Sequence, residues 1–581
     1  MKKRALSMVA IAAAATMLVS ACGNGDSGNE GDAQAVVDDE TGFASYTGDP
    51  QKGGVVEVLG GVDFSHLDPA MGSDGNVLNL YNLLYRNLTQ YKYNRESGEL
   101  ELVGDLAEDT GTPNEDSTEW TFKLKEGVTF EDGSPITAED VKFGFEHAFD
   151  PSLAIGLDYL QNYVKGAKDY GGVFEDPEGL DSIKVVDDRT ITIETNEPMA
   201  DFPNVVATAP GAPFPKDKVT KVDQIQKDPI SSGPYKVDEY KRGESLTLVR
   251  NENWNAETDD IRPAYPDGFK FTVSLDQNTI DQRMMSGQGD DANAVSSSTN
   301  PVVAANLAKI TQDPKLSERT VQSKPSCNYF MVMNNTKEPL GDKKVRQAIN
   351  WAVDKSSVIN ASGGPQLADV APNLLLPSVP DYDDTDPYAT EGNTGDPEKA
   401  KAMLKEAGAE NLKLTMDVRA LPMWEAQAEA VQQSLKKVGI EVKLNVIDQA
   451  KFYEVLATPS QQNELAITGW CSNGWFSGEP LLGPLFDGER ITETGNLNQS
   501  QIDDPALNKS LAEAAVMPDL DDKTAAYAKI NEQVLDLAPV VPLVRPRPLQ
   551  LVGSNVGGAF ANPSKTGYID YSQLGLLNPE G

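Results

Sequence analysis

The sequence predicts an α/β fold, and three stretches carry that prediction. From Leu412 to Val446, the residues Leu412, Leu414, Met416 and Val418 alternate with polar ones. Ala428, Val431 and Leu435 then share one face of a helix running from Trp424 to Lys437, Gly439 stops it, and Ile440, Val442, Leu444 and Val446 alternate again. Strand, helix and strand in this order form a βαβ unit, which places two strands in parallel with the helix packed on them. From Glu119 to Phe149, Trp120, Phe122 and Leu124 alternate and Asp132-Gly133 supplies a turn. A helix follows, with Thr137 placed to cap it, Asp140 completing a capping box, and Val141, Phe145 and Phe149 on one face. The third stretch is the apolar strand Tyr329–Met333, which precedes a helix from Val345 to Val353.

The amino terminus reads as an export signal. Lys2, Lys3 and Arg4 precede an apolar run from Ala5 to Val19, short of the about 20 residues of a comfortable membrane span. Val19-Ser20-Ala21-Cys22 follows and resembles a bacterial lipobox, with residues 1–21 as the leader and Cys22 the lipidated first residue of the mature chain. Residues 22–52 are polar and acidic, too poor in apolar groups to build a core. They read as a disordered tether that spans roughly 30 Å at about 5–6 Å × √n. Further on, Asp396-Pro397 opens a helix with Ala400, Met403, Leu404 and Ala407 facing inward, and Gly408 closes it. Loops rich in proline and aspartate, Asn196–Pro215 and Pro372–Pro387, separate these units.

Bulk composition narrows the function. The formal net charge of the 581-residue chain is −39, and removal of the leader with Lys2, Lys3 and Arg4 makes it more acidic still. Phosphate contact needs a basic surface, so a nucleic-acid partner is excluded. The body shows no further run of spanning length, so the membrane is met through the lipid anchor only, and an apolar content of 39% suffices for several sizeable cores. Three cysteines are present. With Cys22 lipidated, Cys327 and Cys471 remain as a pair in an oxidising compartment, either bridged or as two free buried thiols.

The wording of several segments resembles one family, the solute-binding proteins of ABC importers of the oligopeptide/dipeptide-binding type. The carriers of the resemblance are the Glu119–Phe149 segment, Leu67-Asp68-Pro69, Ser232-Gly233-Pro234-Tyr235 with Leu248–Trp254, Pro339–Asp354, Asp396–Gly408 and Leu535–Leu543. They occur in the family's order. The resemblance implies a two-lobed periplasmic-binding-protein-like fold whose chain crosses between lobes twice, with an extra domain inserted in the first lobe and a ligand enclosed when the lobes close. On that reading, residues 53–84, 209–321 and 537–581 form lobe I, 85–208 the inserted subdomain and 322–536 lobe II. It implies a monomeric, lipid-anchored protein on the extracytoplasmic face of the membrane, on the periplasmic side where an outer membrane exists. It would deliver a peptide or peptide-like solute to the permease of its importer, with no cofactor, no metal and no catalytic role.

The same resemblance suggests the site. Peptide-binding members hold an extended ligand by its backbone, with an acid in a "GWCaDy" motif on its amino terminus. The matching run here is Gly469-Trp470-Cys471-Ser472-Asn473-Gly474-Trp475. Cys471 is implied to pair with Cys327, and Asn473 stands where the acid is expected, which removes a charge–charge anchor. Trp470, Cys471, Asn473 and Trp475 are expected at the ligand, with the Ser73–Gly75 loop, Tyr329, Phe330 and Tyr159. Ile467, Val332 and Ser73–Gly75 are neutral where relatives carry charge, so a cleft with few fixed charges is expected, suited to a neutral, blocked or hydrophobic solute; Glu479 is the acid nearest in sequence.

Competing chemistries have less to stand on. His66 and His147 are isolated, and no HExxH motif occurs. Ser434-Leu435-Lys436-Lys437 and Lys565-Thr566-Gly567 match the outer motifs of penicillin-binding enzymes without the middle one. Asp381, Asp383, Asp384 and Asp386 lack the glycine and glutamate of a calcium loop. The alternatives to transport are a secreted hydrolase of cell-wall or peptide material and a ligand-sensing binding protein.

Overall fold

The computed structural model describes residues 35–38, 41–153, 157–380, 382–472 and 474–580. The leader, Cys22, Asp381 and Asn473 lie outside these residues. Among the described residues no helix is long and apolar enough to cross a membrane.

The chain folds as two lobes. The first is built on a five-stranded sheet in the order Tyr235–Lys241, Ser245–Arg250, Gly268–Thr272, Val55–Leu59, Ala294–Ser296. The second is built on a six-stranded sheet in the order Ala368–Val370, Val540–Pro546, Cys327–Met333, Leu465–Cys471, Lys413–Arg419, Glu441–Ile447. Its last two strands are the parallel pair of the βαβ unit, with Leu414 opposite Val442 and Val418 opposite Val446. Helix Pro422–Lys436 covers them through Ala428, Val431 and Leu435, all fully buried. Val446 is half exposed because its strand is the sheet edge.

Residues 85–208, which the sequence reading assigns to an inserted subdomain, carry an antiparallel sheet in the order Thr112–Pro113, Glu119–Lys123, Thr190–Glu194, Ile183–Asp187. Helix Ala138–Ala148 begins at the expected capping box: the Asp140 amide donates to Thr137 Oγ1, and Asp140 Oδ2 accepts from the Thr137 amide at 2.9 Å. Val141, Phe145 and Phe149 are fully buried in the subdomain core. His147, on the same helix, sits 2.8 Å from Asp68 Oδ2 and ties the subdomain to the Leu67-Asp68-Pro69 element.

Two domain boundaries differ from the sequence reading. Residues Ala44–Tyr46 form a strand of a four-stranded sheet with Thr320–Gln322 and Leu549–Leu551, and Phe43 and Tyr46 are buried. The folded body thus includes at least ten residues assigned to the tether. Three residues are too few to show a period. The second difference is Val540–Pro546, which lies inside the second lobe's sheet although the sequence returns the chain to the first lobe at residue 537. Proline removes a ladder donor and argues against a central strand. Here the ladder slips between Tyr329 and Phe330, and Phe330 pairs with Pro542 at that irregularity. The two crossings between lobes run side by side, since Thr320–Gln322 pairs antiparallel with Leu549–Leu551 and the Ser323 amide donates to Pro548 O at 2.8 Å.

Candidate functional site

A cleft whose empty space, open solvent included, comes to about 600 Å³ lies where helix Gly75–Leu84, residues 207–209, the loop after Cys471 and the carboxy-terminal loop meet. The helix explains the wall. Asp74 caps it by accepting from the Asn76 and Val77 amides. Val77, Leu80, Leu83 and Leu84 face the first-lobe core, while Asn76, Asn79 and Asn82 recur every third residue and form a polar strip along an otherwise apolar helix. Tyr81 and Tyr85 donate to the carbonyls of Asp68 and Leu67, which places the Leu67-Asp68-Pro69 element beneath the site.

That asparagine strip docks the carboxy-terminal loop. Asn79 donates to Ile569 O at 2.7 Å and accepts from the Tyr571 amide at 3.1 Å, and Asn82 Nδ2 donates to Asp570 Oδ1 at 3.4 Å. Within the loop, Asn562 O accepts from the Gly567 amide and Gly567 O accepts from the Lys324 amide. Gly567 holds φ of +76°, and a Cβ there would stand 2.1 Å from Lys324 O. Gly567→Ala should therefore cost about 1–3 kcal/mol and displace the loop, measurable as a lower urea midpoint. An unchanged midpoint would show that the loop is not fixed by this contact.

The loop presents Ser564, Lys565 and Thr566 to the cavity. Lys565 is 9% exposed. Burial pulls its amine down to about 8, Asp570 and Asp105 opposing this and Arg262 adding to it. The carboxylate that acts on it most, Asp570, is engaged elsewhere: its Oδ1 accepts from the Ser572 amide and hydroxyl, and its Oδ2 accepts from Asn562. Three further wall atoms, Asn82 Oδ1, Asn87 Oδ1 and Ser472 Oγ, are buried without a partner among the described residues. The Asn87 amide orientation is set by its donation to Ala207 O at 3.0 Å, so its oxygen remains free to accept.

Behind this wall lies a buried charge network that joins the first lobe to the inserted subdomain. Asp105 binds Arg86 and Arg262 at 2.7 Å each, and Arg262 reaches Asp259 at 3.0 Å. Burial alone would raise the Asp105 carboxyl, but the two guanidinium groups outweigh it and hold it at about 2.

The residues expected at the ligand fall into three places. Ser73 and Gly75 lie at the capped end of the helix, where a Cβ on Gly75 would meet Thr566 Oγ1 of the cavity loop at 3.1 Å. The disulfide Cys327–Cys471 is present and joins directly opposed residues of neighbouring strands. It anchors the start of the loop that brings Ser472 and Gly474 to the cavity. Tyr329 packs at a tilt against Trp424, ring centroids 4.6 Å apart, and Phe330 is buried in a second-lobe core with Trp470 packed against it. Trp470 Nε1 donates to Pro480 O at 2.8 Å. None of these three aromatic residues lines this cavity.

Trp475 and Tyr159 meet in the third place, the contact between lobes. Trp475 enters the inserted subdomain's core, 1% exposed, with its ring edge-to-face on Tyr159 and Tyr163 and its Nε1 donating to Asp201 at 3.0 Å. Asp201 also pairs with Lys523 of the second lobe at 2.6 Å, fully buried. Glu479, the acid nearest the motif, is taken up here by Tyr163, Tyr527 and Arg490. Burial opposes its ionisation, and Arg490 and the tyrosine hydroxyls overcome that and lower its pKa.

The expectation of few fixed charges missed Lys565, whose Lys-Thr-Gly setting drew notice only as an enzyme motif. The asparagine strip of Gly75–Leu84 was also missed, although its three-residue spacing is visible in the sequence. The Ser-x-x-Lys half of that motif does not approach Lys565 chemistry: Ser434 is buried mid-helix and donates to Ala430 O at 3.0 Å. Asp386 pairs with Lys355, and among the described residues no cluster of histidine, cysteine and carboxylate side chains is arranged to hold a metal.

Comparison with known proteins agrees with this architecture. The family profile described as "Bacterial extracellular solute-binding proteins, family 5 Middle" matches residues 101–493. The chain is 27% identical to the probable D,D-dipeptide-binding periplasmic protein DdpA of Escherichia coli K12, over 86% of this chain and 89% of that one. It is 26% identical to the heme-binding protein A of Haemophilus influenzae, over 96% and 95%. Among solved structures, clavulanic acid biosynthesis oligopeptide binding protein 2 superposes with a TM-score of 0.86 at 28% identity, covering 94% of this chain and 99% of that one. With the two-lobed sheet topology, the interlobe cavity and a profile match across most of its length, the chain belongs to the bacterial extracellular solute-binding proteins of family 5.

Proposed function

We propose that this protein captures a peptide or peptide-like solute in the interlobe cavity and delivers it to the permease of an ABC importer, working as a monomer anchored by lipid on Cys22. The observation that carries the reading is the set of unpartnered buried acceptors, Asn82 Oδ1, Asn87 Oδ1 and Ser472 Oγ. Buried acceptors are normally hydrogen-bonded, and an amide-rich solute brings N–H groups to meet them. A dipeptide-binding relative and an oligopeptide-binding one support the same ligand class. The transporter's ATPases would supply the energy, so this chain would act by binding alone.

Native mass spectrometry of the soluble chain from Gly23 onward, followed by denaturation and identification of the released mass, tests the proposal. Starting at Gly23 keeps the Ala44–Tyr46 strand. Short peptides are the expected cargo. A single non-peptide mass, such as a haem, would retire the peptide assignment and leave the transport role in place.

A further inference from the structure

The cavity wall holds a cation that the fold leaves without a hydrogen-bonded counter-charge. Among the described residues, the Lys565 side chain makes no hydrogen bond or ion pair, although it is only 9% exposed. The carboxylates that share its surroundings are committed: Asp570 to Ser572 and Asn562, and Asp105 to Arg86 and Arg262. The backbone that carries it is pinned on both sides, by Asn562 and by the Asn79 contacts to Ile569 and Tyr571. Buried charges are ordinarily paired. A pinned, unpaired cation facing a cavity is what a site looks like when the partner is the ligand.

We infer that Lys565 is the anion anchor of the cavity and that the solute carries a carboxylate, which pairs with the Lys565 ammonium once the lobes enclose it. This rests on the peptide-capture reading and adds that the peptide is acidic at one point rather than neutral or blocked. The wall divides accordingly: Asn82 Oδ1 and Asn87 Oδ1 accept N–H groups and repel an anion, whereas Lys565 donates to one. The lowered amine pKa agrees, since a group at about 8 is charged at neutral pH and still lacks a stabilising partner.

The test is isothermal titration of the ligand-stripped chain with four probes: alanine tri- and tetrapeptides as free acids, the same peptides as carboxy-terminal amides, amides bearing one glutamate, and acetate. Free acids should bind about 10- to 100-fold more tightly than amides. Lys565→Met should abolish that ratio, and Lys565→Arg should keep part of it. Glutamate-bearing amides that bind like free acids would assign the anchor to a side-chain carboxylate. Equal binding of acids and amides by the unaltered protein, or an unchanged ratio in Lys565→Met, overturns the inference and leaves peptide capture standing. Acetate binding that needs Lys565, with no peptide binding, retires peptide capture and keeps the anchor. No response to any probe overturns both.

Discussion

Arg262→Met should destabilise the protein by about 3–5 kcal/mol, because it strands buried carboxylates that the wild-type fold pairs. Arg262 spans Asp105, Asp259 and the Asn82 carbonyl, and none of the charged side chains in the cluster is more than 2% exposed. Removing it leaves Asp105 with Arg86 alone. Removing the whole cluster is a different matter, since well-packed apolar replacements escape the desolvation penalty. The double variant Arg262→Met/Asp105→Asn should therefore lose less stability than the sum of the losses of Arg262→Met and Asp105→Asn taken singly. Urea unfolding of wild type, the two single variants and the double variant measures this, and a loss under about 1 kcal/mol in Arg262→Met would show that the cluster is dispensable.

The same network sets an acid limit. The Asp105 carboxyl lies at about 2 in the folded chain against an ordinary 3.8. A depressed carboxyl stabilises the fold fully above its unfolded value and loses that contribution as pH falls through the folded one, here between about pH 4 and pH 2. The contribution amounts to about 2 kcal/mol at neutral pH. In Asp105→Asn the slope of stability against pH over that window should flatten; a slope equal to wild type would assign the acid sensitivity to other carboxylates.

How much of this was legible depends on the range of the contacts. The capping box at Thr137 and Asp140, the helix opened by Asp396 and the parallel pair around Met416 are set by neighbours within a few turns, and their periods are visible in the sequence. The Cys327–Cys471 bridge closes a separation of 144 residues, and no local period carries it; only resemblance pointed to it. Val540–Pro546 was hidden because its prolines obey a rule that the neighbouring ladder irregularity relaxes. Lys565 shows nothing in its own sequence that marks it as buried. Its burial follows from asparagines on Gly75–Leu84 clamping Ile569, Asp570 and Tyr571, almost 500 positions along the chain, as the separation of 490 between Asn79 and Ile569 shows. Polar cleft walls are assembled from distant segments, and their periodicity is that of whichever element each residue rides on.

Trp475→Ala should weaken solute binding about 100-fold while leaving each lobe folded. Trp475 belongs to the second lobe, yet its ring is buried in the inserted subdomain's core against Tyr159 and Tyr163, and its Nε1 reaches Asp201. Truncating a buried tryptophan costs about 3–5 kcal/mol. If capture works by the lobes parting and closing, as proposed, this ring leaves its socket on parting, and the loss falls on the apposed state rather than on either core. A solute that needs the apposed state then binds more weakly by the same free energy, about 3 kcal/mol for a hundredfold change. Asp201 keeps its ion pair with Lys523 in the variant, so the buried charges are not stranded and the effect isolates the aromatic plug. Small-angle scattering should show a larger radius of gyration for Trp475→Ala without solute, Trp475→Phe should fall between, and the urea midpoint should move little. A lowered midpoint with unchanged radius and unchanged affinity would mean that Trp475 stabilises a permanently joined core, and that the lobes part along some other surface.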